Sequence, residues 1–210
     1  MDTGPGLRAR KKARTRRLIA ETALALFAEH GFDGVTVAEV ARRADVSQAT
    51  VFNYFPTKED LVYSELEVFE ATLLGAVRDR GPGIPVAEVF RRLVVEPRGL
   101  LAADAPEAAT RFATIARVIA ASPALKARER QAFDRWTRSL AQVLAEEAGA
   151  PSDDVEAWVV ANALMGVHRA LVEYVRGQVL AGRHGPSLAR AVRAEGERAL
   201  AALERGLAGD

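Results

Sequence analysis

The chain has 210 residues, with 29 Lys and Arg against 28 Asp and Glu, and it contains no cysteine. This length suits one two-part protein whose core is large enough to fold without a metal or a disulfide. The absence of cysteine excludes disulfides and thiolate metal sites and fits a reducing cytoplasm, while a net charge of only +1 means that overall electrostatics favour no class of partner.

A basic arm opens the chain. Residues 7–17 carry seven basic side chains and no acidic one, and we expect residues 1–14 to be disordered. The charges are not followed by the apolar run of a signal peptide, and no stretch is expected to be long and apolar enough to span a membrane, so no membrane partner is expected. The arm is either a solubilising tail or, because it precedes the motif described next, a contact to DNA phosphates or the minor groove through Arg14, Arg16 and Arg17.

Residues 15–60 predict a helix followed by a helix-turn-helix. Apolar residues recur at helical spacing over 16–30, and Gly31 ends that helix. Residues 36–58 then hold two short helices joined by a very short turn, which is the pattern of a helix-turn-helix. Three N-cap patterns mark helix starts in this stretch, namely Thr36 with Glu39, Ser47, and Thr57 with Asp60.

The outward face of the second short helix is uncharged, small and aromatic. Gln and Asn side chains carry a donor and an acceptor in one plane, as reading a base edge requires, and a small Ala can touch a thymine methyl group. We therefore expect base contacts from Gln48, Ala49, Phe52 and Asn53. Hydroxyl and ammonium groups suit phosphates, and we expect those contacts from Thr36, Ser47, Thr50, Tyr54 and Lys58. An ordinary solvated helical hairpin is the alternative, which the two exposed aromatic rings disfavour.

This stretch resembles the DNA-binding domain of the tetracycline-repressor (TetR) family. The matching segments are Leu26-Phe27-Ala28-Glu29-His30-Gly31-Phe32, Thr36-Val37-Ala38-Glu39-Val40-Ala41, and Val46-Ser47-Gln48-Ala49-Thr50-Val51-Phe52-Asn53-Tyr54-Phe55-Pro56-Thr57-Lys58-Glu59-Asp60-Leu61. One departure is Asp45, where the family usually has Gly in the turn, but Asp tolerates the left-handed conformation. The resemblance implies a dimer that binds double-stranded operator DNA and releases it when a small molecule binds the second domain.

The remainder, residues 61–210, predicts a helical ligand-binding and dimerisation domain, so the fold class is all-α. A connector helix is expected over about 58–80, followed by a break at 81–85. No strand alternation occurs. Proline and glycine punctuation then predicts five further helical segments, over about 86–103, 107–121, 124–149, 153–182 and 187–207.

The last two segments are candidates for a dimer interface. Residues 153–182 are apolar over more than one face, so both sides need cover, and residues 187–207 carry a narrower apolar stripe. A pair of such helices meeting its copy across a two-fold axis would form a four-helix interface. Simple burial inside one protomer is the alternative, and the homodimer is favoured because a small helix-turn-helix usually reads two half-sites.

A ligand site is expected in the second domain. Its candidate residues lie on the helices between 86 and 168 and are mostly core-forming types, namely Phe90, Arg111, Phe112, Ile115, Arg117, Phe133, Trp136, Trp158, Asn162 and Met165. Polar groups able to orient a ligand are Arg111, Arg117, Asn162 and His168. Residues 8–69 also resemble the actinobacterial, mycofactocin-regulator-type subgroup of the family, which implies an acyl-CoA-like or other lipophilic effector whose anionic end Arg111 or Arg117 would bind.

Catalysis finds little support in the sequence. It has no Ser-centred elbow, no phosphate-cradling glycine loop and no His/Glu pair at metal spacing, so neither a metal nor a cofactor is expected. The expected function is a cytoplasmic, ligand-responsive transcription repressor that is not an enzyme. Two alternatives remain open: a helical acyl-chain carrier or enzyme without sequence-selective DNA binding, and an architectural DNA protein that binds through the arm without sequence preference.

Overall fold

The structure, a computed structural model, describes residues 6–63, 66–97, 99–101 and 105–208, and all regular secondary structure in these ranges is helical, with no strand. The all-α prediction is therefore confirmed. The α-helices are α1 (Leu7–His30), α2 (Val37–Arg43), α3 (Gln48–Tyr54), α4 (Leu66–Arg78), α5 (Val86–Phe90), α6 (Pro106–Ala121), α7 (Pro123–Ala148), α8 (Val155–Leu180) and α9 (Gly185–Ala208). Short 3-10 turns lie at Glu59–Leu61 and Gly99–Leu101, and a π-helical turn lies at Arg91–Val95.

The described residues form two compact units, which we call the N-terminal and C-terminal units. The N-terminal unit comprises 6–63 together with 117–128, and the C-terminal unit comprises the described part of 66–116 together with 129–208. Helices α6 and α7 therefore each supply residues to both units. A boundary near residue 60 was expected, but nothing in the sequence separates 117–128 from the rest of these two helices.

The N-terminal unit is built around buried apolar residues from α1, α2 and α3. Ile19 and Phe27 of α1, Val40 of α2 and Val51 of α3 are each at most 1% exposed. The ring of Phe27 lies 5.0 Å from that of Phe32, which follows Gly31 and folds back onto the same core. Burial of these side chains fixes the angle between α2 and α3 and leaves the opposite face of α3 in solvent.

Helix α1 begins earlier than the sequence patterns indicated. It starts at Leu7 and runs unbroken for 24 residues, so the basic arm is helical over residues 7–14 and the prediction of disorder is corrected there; residues 1–5 lie outside the described ranges. Arg, Lys, Ala and Leu are all strong helix formers, and no Gly or Pro interrupts residues 7–17. The helix therefore extends through a stretch that has no apolar stripe.

The connector predicted over 58–80 is not one helix. A 3-10 turn covers Glu59–Leu61, Val62 and Tyr63 are not helical, and α4 extends over Leu66–Arg78; residues 64 and 65 lie outside the described part. The cap formed by Thr57 and Asp60 starts the 3-10 turn rather than a long helix, because the backbone N–H of each residue donates to the side-chain oxygen of the other, at 3.0 and 3.3 Å. The segment predicted at 86–103 is likewise divided into α5, the π-helical turn and a 3-10 turn, and residues 102–103 fall outside the described ranges.

The C-terminal unit has one apolar core shared by α4 to α9. Leu73, Phe90, Leu140, Leu164 and Leu200 are each at most 2% exposed within it. The apolar stripe of α9 thus points into its own protomer, where it packs against α8 and the π-helical turn. Gly196 permits this approach: a Cβ atom there would lie only 2.8 and 2.9 Å from the two methyl carbons of Val95.

Helix α8 corrects the expectation that no stretch is long and apolar enough to cross a membrane. It is 26 residues long with a mean hydropathy of 1.2 over its most apolar window. Its buried residues, such as Ala161, Leu164 and Met165, pack in the core of the C-terminal unit. Only 28% of that window is buried inside the protomer, so α8 has a core face and a second, exposed face.

Candidate nucleic-acid interface and ligand site

Helix α3 presents the uncharged face that the sequence predicts. The hydroxyl of Ser47 accepts a bond from the backbone N–H of Thr50 at 3.0 Å and starts the helix. Val51 is buried and anchors the inner face. The four residues predicted to contact bases are all exposed, and Phe52, a large ring, is 46% exposed. Gln48, Ala49, Phe52 and Asn53 therefore form one accessible surface, which we call the recognition face.

The start of α2 and the turn between α2 and α3 fix the orientation of α3. Thr36 and Glu39 form a reciprocal capping box on α2, in which the Glu39 carboxylate accepts the Thr36 backbone N–H at 2.7 Å. That bond, together with one from the Thr36 hydroxyl, lowers the pKa of Glu39 and keeps it ionised. Asp45 adopts φ = 53°, the left-handed conformation expected for the residue standing in the place of the usual glycine.

The predicted phosphate contacts differ in how free their side chains are. Thr36 and Ser47 are exposed, and Thr50 and Tyr54 are half-buried at the edge of the recognition face. Lys58 is engaged within its own unit: its ammonium donates to the carbonyl of Phe32 at 2.5 Å and lies 4.3 Å from the centre of that ring. An ammonium has three donors, so this bond leaves two N–H groups of Lys58 unassigned.

The three arginines predicted in the arm fall into two groups. Arg14 and Arg17 are exposed. Arg16 instead donates to the carbonyl of Tyr54 at 2.8 Å and lies 4.7 Å from the centre of the Phe55 ring. A cation at the C-terminal carbonyls of a helix is favourable, so Arg16 ties α1 to the end of α3 and positions the recognition helix.

A second set of contacts joins the helix-turn-helix to the start of α7, and the sequence contained no signal for it. The Asp60 carboxylate caps Thr57 with one oxygen and accepts a bond from Arg128 at 3.0 Å with the other. The Tyr63 hydroxyl donates to the carbonyl of Leu125 at 3.2 Å. The partners lie more than 60 positions apart in the chain, and neither belongs to a motif.

The predicted ligand residues separate into several groups. Phe90 is a fully buried core residue, while Arg111, Phe112 and Ile115 are half-buried on α6. Arg117 is exposed and belongs to the N-terminal unit, so it is not part of the unit that holds the other candidates. The sequence could not separate Arg117 from Arg111 because the unit boundary falls inside one continuous helix.

Three of the candidates line a groove between α7 and α8. Trp158, Asn162 and Met165 meet there with polar residues of α7, and the groove has a volume of about 340 Å3. The Arg169 side chain also lines it and pairs with Asp134 at 3.3 Å. This groove opens on the exposed face of α8, since Asn162, Gly166 and Arg169 are all exposed.

Two further candidates, Phe133 and Trp136, belong to an aromatic cluster in the C-terminal unit. We call the rings of Phe69, Phe133, Trp136 and His168 the ring cluster; the centres of neighbouring rings in it lie 4.7 to 6.0 Å apart. Burial lowers the pKa of His168 to about 4, so its imidazole is neutral near pH 7. The Trp136 Nε1 and His168 Nδ1 atoms are buried without a hydrogen-bond partner.

Comparison with known families gives two matches that together span most of the chain. Residues 19–63 match the family model for bacterial regulatory proteins of the tetR family, and residues 84–208 match the model for the MftR C-terminal domain. The second match alone covers more than half of the chain.

Individual relatives agree with these matches. The chain is 28% identical over 165 residues to a Mycobacterium tuberculosis protein named as the mycofactocin biosynthesis transcriptional regulator MftR, covering 79% of this chain and 81% of the relative. It is 29% identical over 156 residues to the transcriptional regulator TcmR of Streptomyces glaucescens, and the match covers 72% of this chain and 68% of TcmR.

Solved structures show the same fold. A complex of SmeT with triclosan superposes with a TM-score of 0.58 at 18% identity, covering 91% of this chain and 90% of SmeT. A transcriptional regulator from Rhodococcus sp. superposes with a TM-score of 0.51 at 18% identity, covering 91% of this chain and all of that chain.

Proposed function

Because the chain belongs to the TetR family of bacterial transcriptional regulators, we propose that it is a homodimeric repressor that binds a palindromic operator and is released by a small lipophilic effector. It is a regulator and not an enzyme, as are its relatives. The single observation that supports the proposed operator contact best is the recognition face of α3. An exposed surface of amide, methyl and ring groups is suited to the major groove and has no partner inside its own unit.

The DNA contacts divide into base reading and anchoring. We assign base reading to Gln48, Ala49, Phe52 and Asn53. Phosphate anchoring is assigned to the residues around them and to the arm, namely Thr36, Ser47, Thr50, Tyr54, Lys58, Arg14 and Arg17, while Arg16 holds the end of α3. Each phosphate that Lys58, Arg14 or Arg17 neutralises should make the negative slope of log affinity against log salt concentration steeper by about 0.9.

The homodimer is proposed to form through the exposed faces of α8 and α9. Val155, Val159 and Leu180 of α8 are large apolar side chains left 46% or more exposed, and a second copy of the chain would cover them. The apolar stripe of α9 is already buried, so α9 would contribute its outer face, which includes Ala194 and Ala202. A dimer places two recognition helices for two half-sites, about one turn of DNA (~34 Å) or a multiple apart.

Release by the effector is proposed to pass through α6 and α7, which supply residues to both units. A shift of α7 in the C-terminal unit would reach Arg128, and Arg128 holds the Asp60 cap beside the helix-turn-helix. Changing that contact alters the spacing of the recognition helices across the dimer. An allosteric coupling of about 1 to 3 kcal/mol would weaken operator binding about 5- to 150-fold.

The effector class is proposed from the resemblance of residues 8–69 to mycofactocin-regulator-type proteins and from the lining of the groove between α7 and α8. That resemblance implies an acyl-CoA-like effector, and the apolar side chains Trp158 and Met165 line the groove beside the cation Arg138. We propose a lipophilic effector with an anionic end. A cytoplasmic location follows from this function, since both operator and effector would be met there.

A mobility shift with DNA flanking the protein's own gene tests the proposal. We expect a discrete complex that survives excess unrelated DNA, weakens with salt, and dissociates with a long-chain acyl-CoA. Equal affinity for every sequence would indicate an architectural DNA protein, and acyl-CoA binding without any DNA complex would indicate a carrier. Either result would overturn the repressor.

A further inference from the structure

The C-terminal unit leaves two buried polar atoms unsatisfied, and both belong to the ring cluster. Among the residues that the structure describes, buried side-chain nitrogen and oxygen atoms without a partner are confined to three: Arg128 Nε, Trp136 Nε1 and His168 Nδ1. Of these, Arg128 lies in the N-terminal unit. A buried group left without a hydrogen bond costs about 1–3 kcal/mol, so two in one cluster call for an explanation such as a bound molecule.

The surroundings restrict what that molecule can be. The indole N–H of Trp136 is a donor only, and the neutral imidazole of His168 can donate or accept at Nδ1. The cation that contacts the cluster, Arg169, lies 5.1 Å from the centre of the Phe133 ring and already pairs with Asp134 at 3.3 Å. A carboxylate placed at the cluster would therefore be buried without a counter-ion, which is strongly unfavourable.

We propose that Trp136 Nε1 and His168 Nδ1 form the polar end of the effector site and bind an uncharged oxygen, such as the carbonyl of a ketone, ester or thioester, on an otherwise apolar molecule. The inference rests on the proposed function, since it specifies the effector of that regulator. Any charged group of the effector then lies outside the ring cluster.

The packing of the ring cluster also indicates that Phe69 is the ring that an effector would displace. Phe133 and Trp136 are each 3% exposed on α7, whereas Phe69 is half-buried on α4. The Phe69 ring lies 4.9 Å from Trp136 and 4.7 Å from His168, measured between ring centres. An effector that reaches both nitrogen atoms must displace the Phe69 ring, which packs against both of their rings, so we call Phe69 the plug of this site.

Amide NMR of the full chain tests the site directly, because the protein contains only two tryptophans. The Trp158→Phe variant assigns the Trp136 indole N–H signal. Three probes of similar size are compared: butyrophenone, butylbenzene and 4-phenylbutyrate. We expect butyrophenone to move the Trp136 indole proton to lower field, as a new hydrogen bond does, and the other two probes to leave it in place.

Affinities supply a second readout. The ratio of butyrophenone to butylbenzene affinity should fall about 3- to 10-fold in Trp136→Phe, which keeps a ring but removes the donor. Phe69→Leu should bind butyrophenone more tightly, because less of the plug must move. An indole signal that butyrophenone leaves unmoved, or that 4-phenylbutyrate moves equally, overturns the proposed site; unchanged or weaker binding by Phe69→Leu overturns the plug.

These measurements are independent of DNA. A protein that binds butyrophenone at Trp136 but shifts no DNA fragment would retain the site and refute the proposed repressor. A protein that forms the operator complex but leaves its Trp136 signal unchanged with every probe would retain the repressor and refute the site.

Discussion

At the scale of single residues, function depends on which side chains the fold leaves free. Asn53 is exposed on the recognition face, whereas Lys58 is half-buried and bonded to Phe32. The two residues are five positions apart and were both predicted to touch DNA. Their environments now predict different consequences of substitution.

Asn53→Ala should relax base preference without disturbing the fold. We expect a loss of about 1–3 kcal/mol on the best operator and little change on mismatched DNA, because only the base contact is removed. Lys58→Ala is the comparison: it should weaken binding to all sequences alike and also lower the melting temperature, since it removes the bond to Phe32. Fluorescence anisotropy on matched and mismatched operators and a thermal melt measure both. A uniform loss in Asn53→Ala would show that base reading and anchoring are assigned to the wrong residues.

His168 predicts a pH dependence of stability. Its pKa is about 6.5 when unfolded and about 4 in the folded protein, so the unfolded state binds the proton first as the pH falls. Stability is therefore fully present above pH 6.5 and decreases as the pH falls to 4, by at most about 3 kcal/mol. His168→Phe should reduce this decrease, measured by urea unfolding across that range. The same slope in both proteins would contradict it.

At the scale of helices, local sequence determined starts and ends well where a cap or a glycine was present. The capping box at Thr36, the cap at Ser47 and the left-handed Asp45 were all predictable, because each bond involves residues at most a few positions apart. Helix α1 began nine residues earlier than predicted, since helix propensity acts without an apolar stripe. The recognition face was predictable for the same local reason.

Other elements depended on contacts distant in sequence. The division of residues 86–101 into α5, a π-helical turn and a 3-10 turn follows the packing of α9, and Arg91 in that turn is held by Glu197 at 2.6 Å and by Glu204 at 3.1 Å. Burial by itself lowers the pKa of Arg91. The neighbouring carboxylates of Glu197, Glu204 and Glu88 have the larger combined effect, so the pKa is raised. No pattern within ten residues of Arg91 contains that information.

The approach of α9 to the π-helical turn predicts an unusual response to a helix-favouring substitution. Gly196→Ala should destabilise the protein by about 1–3 kcal/mol, because the added carbon would overlap the Val95 methyl groups. Gly75→Ala in α4 is the matched control: no atom lies within 4 Å of its added carbon, so it should stabilise by roughly 0.5–1 kcal/mol. Chemical denaturation gives both values, and a stabilising Gly196→Ala would refute the close approach.

At the scale of the whole molecule, the contact of Asp60 with Arg128 could not be predicted from the sequence. The Asp60 and Arg128 side chains are only 14% and 18% exposed. Removal of either one therefore leaves the charge of the other unpaired and poorly solvated. The sequence predicted α7 as a helix of the second domain and could not indicate that its first turns belong to the N-terminal unit. Their pairing depends on the tertiary fold alone.

A double-mutant cycle measures what this contact contributes. Asp60→Asn and Arg128→Gln should each lower stability by about 1–3 kcal/mol, and the double variant should cost less than the sum because no unpaired charge remains. Differential scanning calorimetry supplies the stabilities, and operator titrations of the same proteins show whether the cap geometry matters for DNA. Strictly additive losses would indicate that the two side chains act separately.

The interleaved make-up of the N-terminal unit bears on how such regulators can be recombined. A hybrid that takes residues 1–65 from this protein and the rest from a relative would keep Asp60 and Tyr63 but receive a foreign segment in place of 117–128. In the hybrid, the helix-turn-helix would pack against a segment that lacks the matching partners of Asp60 and Tyr63. We therefore expect that a transfer of the proposed operator preference of this chain to a relative needs residues 1–65 and 117–128 to be moved together.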